Sequence, residues 1–195
     1  DSLLLYGLQW KVREKEMIAG ATFNVETKTL LINKHRKFSD DDLKRLIVHE
    51  IGTHIMRAER AKSQKHRLFL MGFPSYLRTE EGLAVYNEGK AGLLDNRTLR
   101  KYAGRVVAVD LALRSSFSVA YQYLRDFFSR EDAWTLALRA KRGMGDTSKP
   151  GAFTKDYLYL DGYYKVKEFA KRNDVAKLYV GKIGVEHVPL LKYVV

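Results

Sequence analysis

His49, Glu50 and His54 are the residues whose types and spacing can do chemistry, in the run His49-Glu50-Ile51-Gly52-Thr53-His54. Two imidazoles can hold a divalent metal, and a carboxylate beside the first can serve as a general base toward water. Spacing decides whether both rings reach one ion. On a regular α-helix, residues i and i+4 are about 40° apart, whereas i and i+5 are about 140° apart. These histidines sit at i and i+5. A local change to i→i+5 hydrogen bonding would bring them back into line, and Gly52 in the inserted stretch tolerates that distortion. A shared metal therefore predicts a π-bulge here.

The run differs from the zinc-peptidase pattern H-E-x-x-H by one inserted residue. A catalytic zinc takes three protein ligands and keeps a fourth position for water. Thr79-Glu80-Glu81-Gly82-Leu83-Ala84 can supply the third. Its adjacent carboxylates lie on nearly perpendicular faces of a helix. One can face the histidines while the other faces solvent or a supporting partner, and the residues alone leave open which. Glu50 stays off the metal and acts as general base, passing the proton on to the leaving amine. The competing reading is a pair of surface histidines and an ordinary acidic first turn. Against it, Leu46, Ile47, Ile51 and Ile55 make this helix a core element. Burying two histidines and a glutamate there without a metal leaves costly polar groups. His35, His66 and His187 are read as non-ligands.

The elements that must position these residues follow from periodicity and caps. Residues 20–33 read as a short hairpin or two adjacent strands. Ser39 or Asp40 caps a helix with acidic residues in its first turn, and apolar spacing carries it to about Ala61. Residues 62–78 are basic and irregular. Thr79 reads as the cap of a second helix ending near Gly89. Residues 97–129 form a long helical region with a break near Arg114-Ser115-Ser116. Helices are also expected over Glu131–Arg142 and Phe153–Arg172, with a short one from Asn173-Asp174 through Tyr179. The class is α+β, mainly helical, with a small N-terminal β element before the metal-binding helix.

Composition narrows the function. The 195 residues carry 35 Lys+Arg against 23 Asp+Glu, a net charge of +12, which points to an anionic partner. With no Cys, a Cys-ligated zinc, an iron–sulfur cluster, a disulfide scaffold and a Cys nucleophile are excluded. No apolar run is long enough for a transmembrane helix. No P-loop or dinucleotide fingerprint is present, and Gly143-Met144-Gly145 reads as a turn. Starting on Asp1, the chain reads as a single catalytic domain over 1–195, a piece of a longer protein.

His-Glu-Ile-Gly-Thr-His followed by Glu-Glu-Gly-Leu-Ala resembles the microtubule-associated tyrosine carboxypeptidase family. The likeness continues through Arg139-Ala-Lys-Arg-Gly143, Asp146-Thr147 and Pro150-Gly to Gly162, so it covers roughly residues 20 to 170. It implies a zincin-like zinc metallopeptidase. The zinc ligands would be His49, His54 and Glu81, the second Glu before the Gly, with Glu50 as base. It also implies removal of a C-terminal residue, tyrosine in the animal members, from a polypeptide. Tubulin is the partner implied by resemblance, with a cytoplasmic location.

A carboxypeptidase must grip a free carboxylate, which a bidentate Arg suits. Arg139, Lys141 and Arg142 are the candidates, with Lys155 behind them. Tyr157 or Tyr159 could stabilise an oxyanion. The strand Thr29–Asn33 could be an edge strand that pairs with substrate backbone. The partner expected is a polypeptide with a free, acidic C-terminus and neither a membrane nor, in the leading reading, nucleic acid. The alternative function is a basic nucleic-acid-binding or regulatory module without peptidase activity.

Overall fold

The computed structural model describes residues 2–17 and 20–194. The chain divides into two compact units, one built from 1–94 with 162–195 and the other from 95–161. Both are mainly helical, and the strands belong to the first, so the class is α+β.

The first unit opens with α1 (Ser2–Leu5) and a three-stranded sheet of β1 (Lys11–Lys15), β2 (Ala21–Asn24) and β3 (Thr29–Asn33). β2 and β3 are the expected hairpin. β1 was not expected: Lys11-Val12-Arg13-Glu14-Lys15 is exposed along its whole length and shows no alternation of apolar and polar residues. It pairs parallel with β3, giving the order β1-β3-β2. β3 is therefore central. Both of its edges are already hydrogen-bonded, so Thr29–Asn33 cannot take a substrate strand as an edge would.

Ser39 caps α2 (Asp40–Leu46) with a full capping box: its hydroxyl accepts from the Asp42 amide, and Asp42 reaches back to the Ser39 amide. The helix runs without a break into a π-helix, Ile47–Ile55, and then into α3 (Met56–Lys62). Leu3, Leu8, Trp10, Leu30, Ile51 and Ile55 form one apolar cluster, so the sheet and α1 pack on the π-helix. After α4 (Leu68–Met71) comes α5 (Tyr76–Lys90). Thr79 does not cap α5, which starts three residues earlier behind Ser75 in a left-handed conformation. Thr79 is instead buried, and its hydroxyl accepts from the Val185 amide. Glu80 and Glu81 thus belong to the helix interior, not to an acidic first turn.

The second unit holds α6 (Asn96–Arg114), α7 (Phe117–Arg125) and α8 (Arg130–Lys141), broken at Ser115-Ser116 where Ser116 caps α7. Its core is alanine-rich: Ala108, Ala112, Ala133, Ala137 and Ala140 with Val109, Leu124 and Leu136. A 3-10 turn, Thr154–Tyr157, leads into α9 (Leu158–Phe169), which ends in the first unit. There the 3-10 segments Val175–Val180 and Val185–Tyr193 follow. Pro189 interrupts the last of these, and no helical period shows in its sequence.

Candidate metal centre

The nine-residue π-helix meets the demand set by the i, i+5 spacing. Its longer turn brings His49 and His54 to the same side, with ring centroids 4.9 Å apart and edge to face. Side chains fix the unusual backbone. The Thr53 hydroxyl donates to the Val48 carbonyl, five residues back, at 3.0 Å. Tyr179 donates to the Gly52 carbonyl at 3.0 Å, and Asn87 donates to both Thr53 Oγ1 and the Tyr179 hydroxyl. Burial raises the pKa of Tyr179, which keeps its proton available for Gly52.

α5 lies against the π-helix and brings its carboxylates to the imidazoles. Glu81 Oε2 is 3.9 Å from Nε2 of His49 and 3.9 Å from Nε2 of His54. One ligand atom from each of the three residues lies within 4.8 Å of the others. A divalent ion bound at about 2.0–2.2 Å by imidazole and carboxylate needs donors about 3.4 Å apart, so a small inward movement closes the set. Among the described residues this is the one group of histidines and carboxylates placed to hold a metal.

The other ring nitrogens are held as well. His49 Nδ1 is 2.6 Å from Glu88 Oε1, and His54 Nδ1 is 2.8 Å from Glu80 Oε1. A carboxylate on Nδ1 fixes the tautomer that leaves the Nε2 lone pair free, as in carboxylate–histidine–metal triads. Glu80 is itself fixed by Arg57 Nη1, and Arg57 donates to the carbonyls of Leu178, Gly181 and Ile183. Three electron-pair donors then converge on one point, an arrangement that a cation resolves. Burial disfavours a charged His54, yet the hydrogen bond and charge of Glu80, helped by Glu81 and Glu50, carry its pKa up to about 9. Burial likewise opposes a charged Glu80, but Arg57 and His54 bring that carboxyl down to about 2. Glu50 is half-buried next to His49, and its charge reaches His54. Phe23 of β2 stacks on His54, with centroids 6.1 Å apart, and screens it.

Sequence reasoning missed Glu88 and Arg57. A signal for Glu88 existed: it stands seven residues after Glu81, two helical turns along the same face. Arg57 carried none, because Glu80 lies on another helix and the three carbonyls it binds are more than a hundred residues away in sequence.

The expected substrate residues lie in the second unit. Arg139 and Arg142 both bind the buried Asp156: Arg139 through Nε and Nη2, Arg142 through Nη2 at 2.8 Å. Lys141 is buried, and its ammonium donates to the carbonyls of Ala112, Ser115 and Lys149, so it braces the loop that follows α8. Tyr159 stacks on Tyr102, Lys155 is half-buried nearby in sequence, and Tyr157 is largely exposed.

Fold and site together define a helix-rich α+β protein with a candidate two-histidine, one-glutamate metal centre on a π-helix. A family model described as Microtubule-associated tyrosine carboxypeptidase matches residues 4–195, and the chain belongs to that family. Microtubule-associated tyrosine carboxypeptidase 1 of Homo sapiens is 33% identical over 159 residues, which cover 77% of this chain and 33% of the human protein. Putative tyrosine carboxypeptidase MATCAP2 of Mus musculus is also 33% identical over 159 residues, covering 77% of this chain and 30% of the mouse protein. The chain thus spans about a third of the length of the curated relatives it matches.

Proposed function

We propose that this chain is the catalytic domain of a zinc-dependent, zincin-like metallocarboxypeptidase that removes a C-terminal residue, tyrosine foremost, from a polypeptide. The observation that carries this is the convergence of His49, His54 and Glu81 within 4.8 Å, each imidazole anchored from behind by a buried carboxylate. The names of the relatives, tyrosine carboxypeptidases, give the reaction class.

His49, His54 and Glu81 would hold the zinc. Bound there, zinc supplies Lewis acidity that polarises the scissile carbonyl and makes water a better nucleophile. Glu50 takes the proton of the attacking water and delivers it to the leaving amine. Glu80 and Glu88 keep the two imidazoles in the tautomer and orientation that the ligand set needs. Arg139 and Arg142, with Lys155, recognise the substrate carboxylate, and Tyr159 is the oxyanion candidate. Lys141 acts from behind them, through the loop it holds. The relatives' names associate them with microtubules, and the family resemblance makes an acidic tubulin tail, met in the cytoplasm, the substrate of this proposal.

Incubating zinc-loaded protein with peptides randomised at the C-terminus, followed by mass spectrometry, tests the reading in one step. Loss of a single C-terminal residue is expected, with tyrosine favoured. Glu50→Gln should keep its zinc and lose this activity. Cleavage that persists in that variant would remove Glu50 as the base.

A further inference from the structure

Arg105 of α6 is held against two aromatic rings. Its guanidinium lies 4.8 Å from the ring centroid of Tyr102 and 4.6 Å from that of Tyr159. The two rings are themselves stacked, 5.7 Å apart and 16° from parallel. Stacking fixes the plane of the guanidinium without using its N–H groups. Among the described residues Arg105 makes no hydrogen bond and no ion pair, so its donors remain available while its orientation is set. Close by, Asp156 binds Arg139 and Arg142 and feels the charge of Arg105 as well. Three arginines against one buried carboxylate leave this cluster two positive charges in excess.

We infer that Arg105, with Arg139 and Arg142 behind it, forms a binding site for a carboxylate carried on an acidic polypeptide. A planar fork held in advance suits the two oxygens of a carboxylate and loses little freedom when it binds. Asp156 fits this role. It orients Arg139 and Arg142 and takes up part of their charge, which leaves Arg105 as the arginine with open donors. Nucleic acid fits less well. Tyr102 is buried, and the stacked faces of both tyrosines are spent on each other and on Arg105, so the platform that single-stranded bases stack on is taken. The inference rests on the reading of the chain as a peptidase for acidic termini, and it adds a residue that the sequence had not singled out.

Binding of a fluorescently labelled oligoglutamate peptide, amidated at its C-terminus so that it offers side-chain carboxylates only, tests this by anisotropy. Wild type should bind it, and the matching oligoglutamine peptide should bind far more weakly. Arg105→Met keeps an unbranched stem but removes the fork, and should weaken oligoglutamate binding about tenfold. Arg105→Lys keeps the charge without the planar fork and should fall between the two, so the series remains informative if the methionine variant is poorly folded by circular dichroism. Wild-type affinity in both variants overturns the site. So does an oligonucleotide that binds more tightly than oligoglutamate and depends on Arg105 in the same way. Failure of the wild-type protein to cleave any peptide would count against the peptidase reading and leave this binding measurement standing.

Discussion

Glu80 and Glu81 are neighbours in sequence that address opposite nitrogens of one imidazole. Glu80 lies 2.8 Å from His54 Nδ1, while Glu81 lies 3.9 Å from His54 Nε2. Successive residues of an α-helix point about 100° apart, so one carboxylate passes behind the ring while the other faces its front. In the proposed zinc site the pair divides the work: Glu81 as a ligand, Glu80 as the group that orients one.

That division predicts different losses. Glu81→Gln should lower zinc content well below one equivalent. Glu80→Gln and Glu88→Gln should keep near-full occupancy in excess zinc but weaken affinity about 10–100-fold. Metal analysis after dialysis, together with competition against a chelator, separates the two cases. A Glu81→Gln protein that retains zinc as tightly as wild type would take Glu81 out of the ligand set.

Much of this was legible in the sequence. The i, i+5 histidines required a π-turn, and Gly52 marked where the backbone could take it. The adjacent carboxylates signalled that one faces the histidines and the other faces solvent or a supporting partner, and Glu80 sits on His54 Nδ1. What could not be read depends on distant contacts. Thr79 looked like a cap because Thr before two glutamates is a local start signal, yet burial against Val185 overrides it. β1 was hidden because its five residues carry no apolar face, and only its pairing with β3 makes it a strand. Arg139, Lys141 and Arg142 read alike as basic residues at a helix end, but one of the three is buried on backbone carbonyls and the other two share Asp156.

Arg57 is fully buried, and among the described residues its charge is answered by Glu80 and three carbonyls. Arg57→Met should destabilise the protein by about 3–5 kcal/mol, because it strands a buried carboxylate. The double substitution Arg57→Met with Glu80→Gln should recover part of that loss. Urea denaturation of wild type and the two variants measures both terms. A single variant within about 0.5 kcal/mol of wild type would show that the network does not support the fold.

Acid should weaken the protein through two carboxylates. Burial raises the pKa of Asp156, but hydrogen bonds and charge from Arg142 and Arg139 overcome it and hold the carboxyl below its ordinary value. Burial opposes the charge of Glu80 as well, yet Arg57 and His54 hold its carboxyl down, at about 2. A depressed pKa contributes stability that is present above the unfolded value, about 4, and is lost as pH falls through the folded one. Melting temperature should therefore fall steeply from about pH 4 downward toward 2. Asp156→Asn should lower stability at neutral pH and flatten part of that fall. An unchanged acid slope in this variant would mean that Asp156 is not among the groups that set it.

Gly82 and Gly162 let α5 and α9 approach at the backbone, directly beside the site. A Cβ on Gly82 would sit 2.1 Å from the Gly162 carbonyl carbon, and one on Gly162 would sit 2.0 Å from the Arg78 carbonyl oxygen. Backbone cannot yield as a side-chain tip can, so the helices themselves must part. Because α5 carries Glu80, Glu81 and Glu88, such a shift reaches the proposed metal ligand Glu81 and both carboxylates on the histidine Nδ1 atoms. Gly82→Ala should cost about 1–3 kcal/mol of stability and weaken zinc binding with it. Gly89→Ala on the same helix is the control. Its Cβ would meet Leu94 at 3.6 Å and Tyr163 at 4.0 Å, ordinary contacts, and alanine's better helix propensity should leave stability equal or raise it by up to about 1 kcal/mol. Thermal melts and zinc titrations of the two variants decide the matter. Equal behaviour would show that close approach at Gly82 does not hold the carboxylates in place.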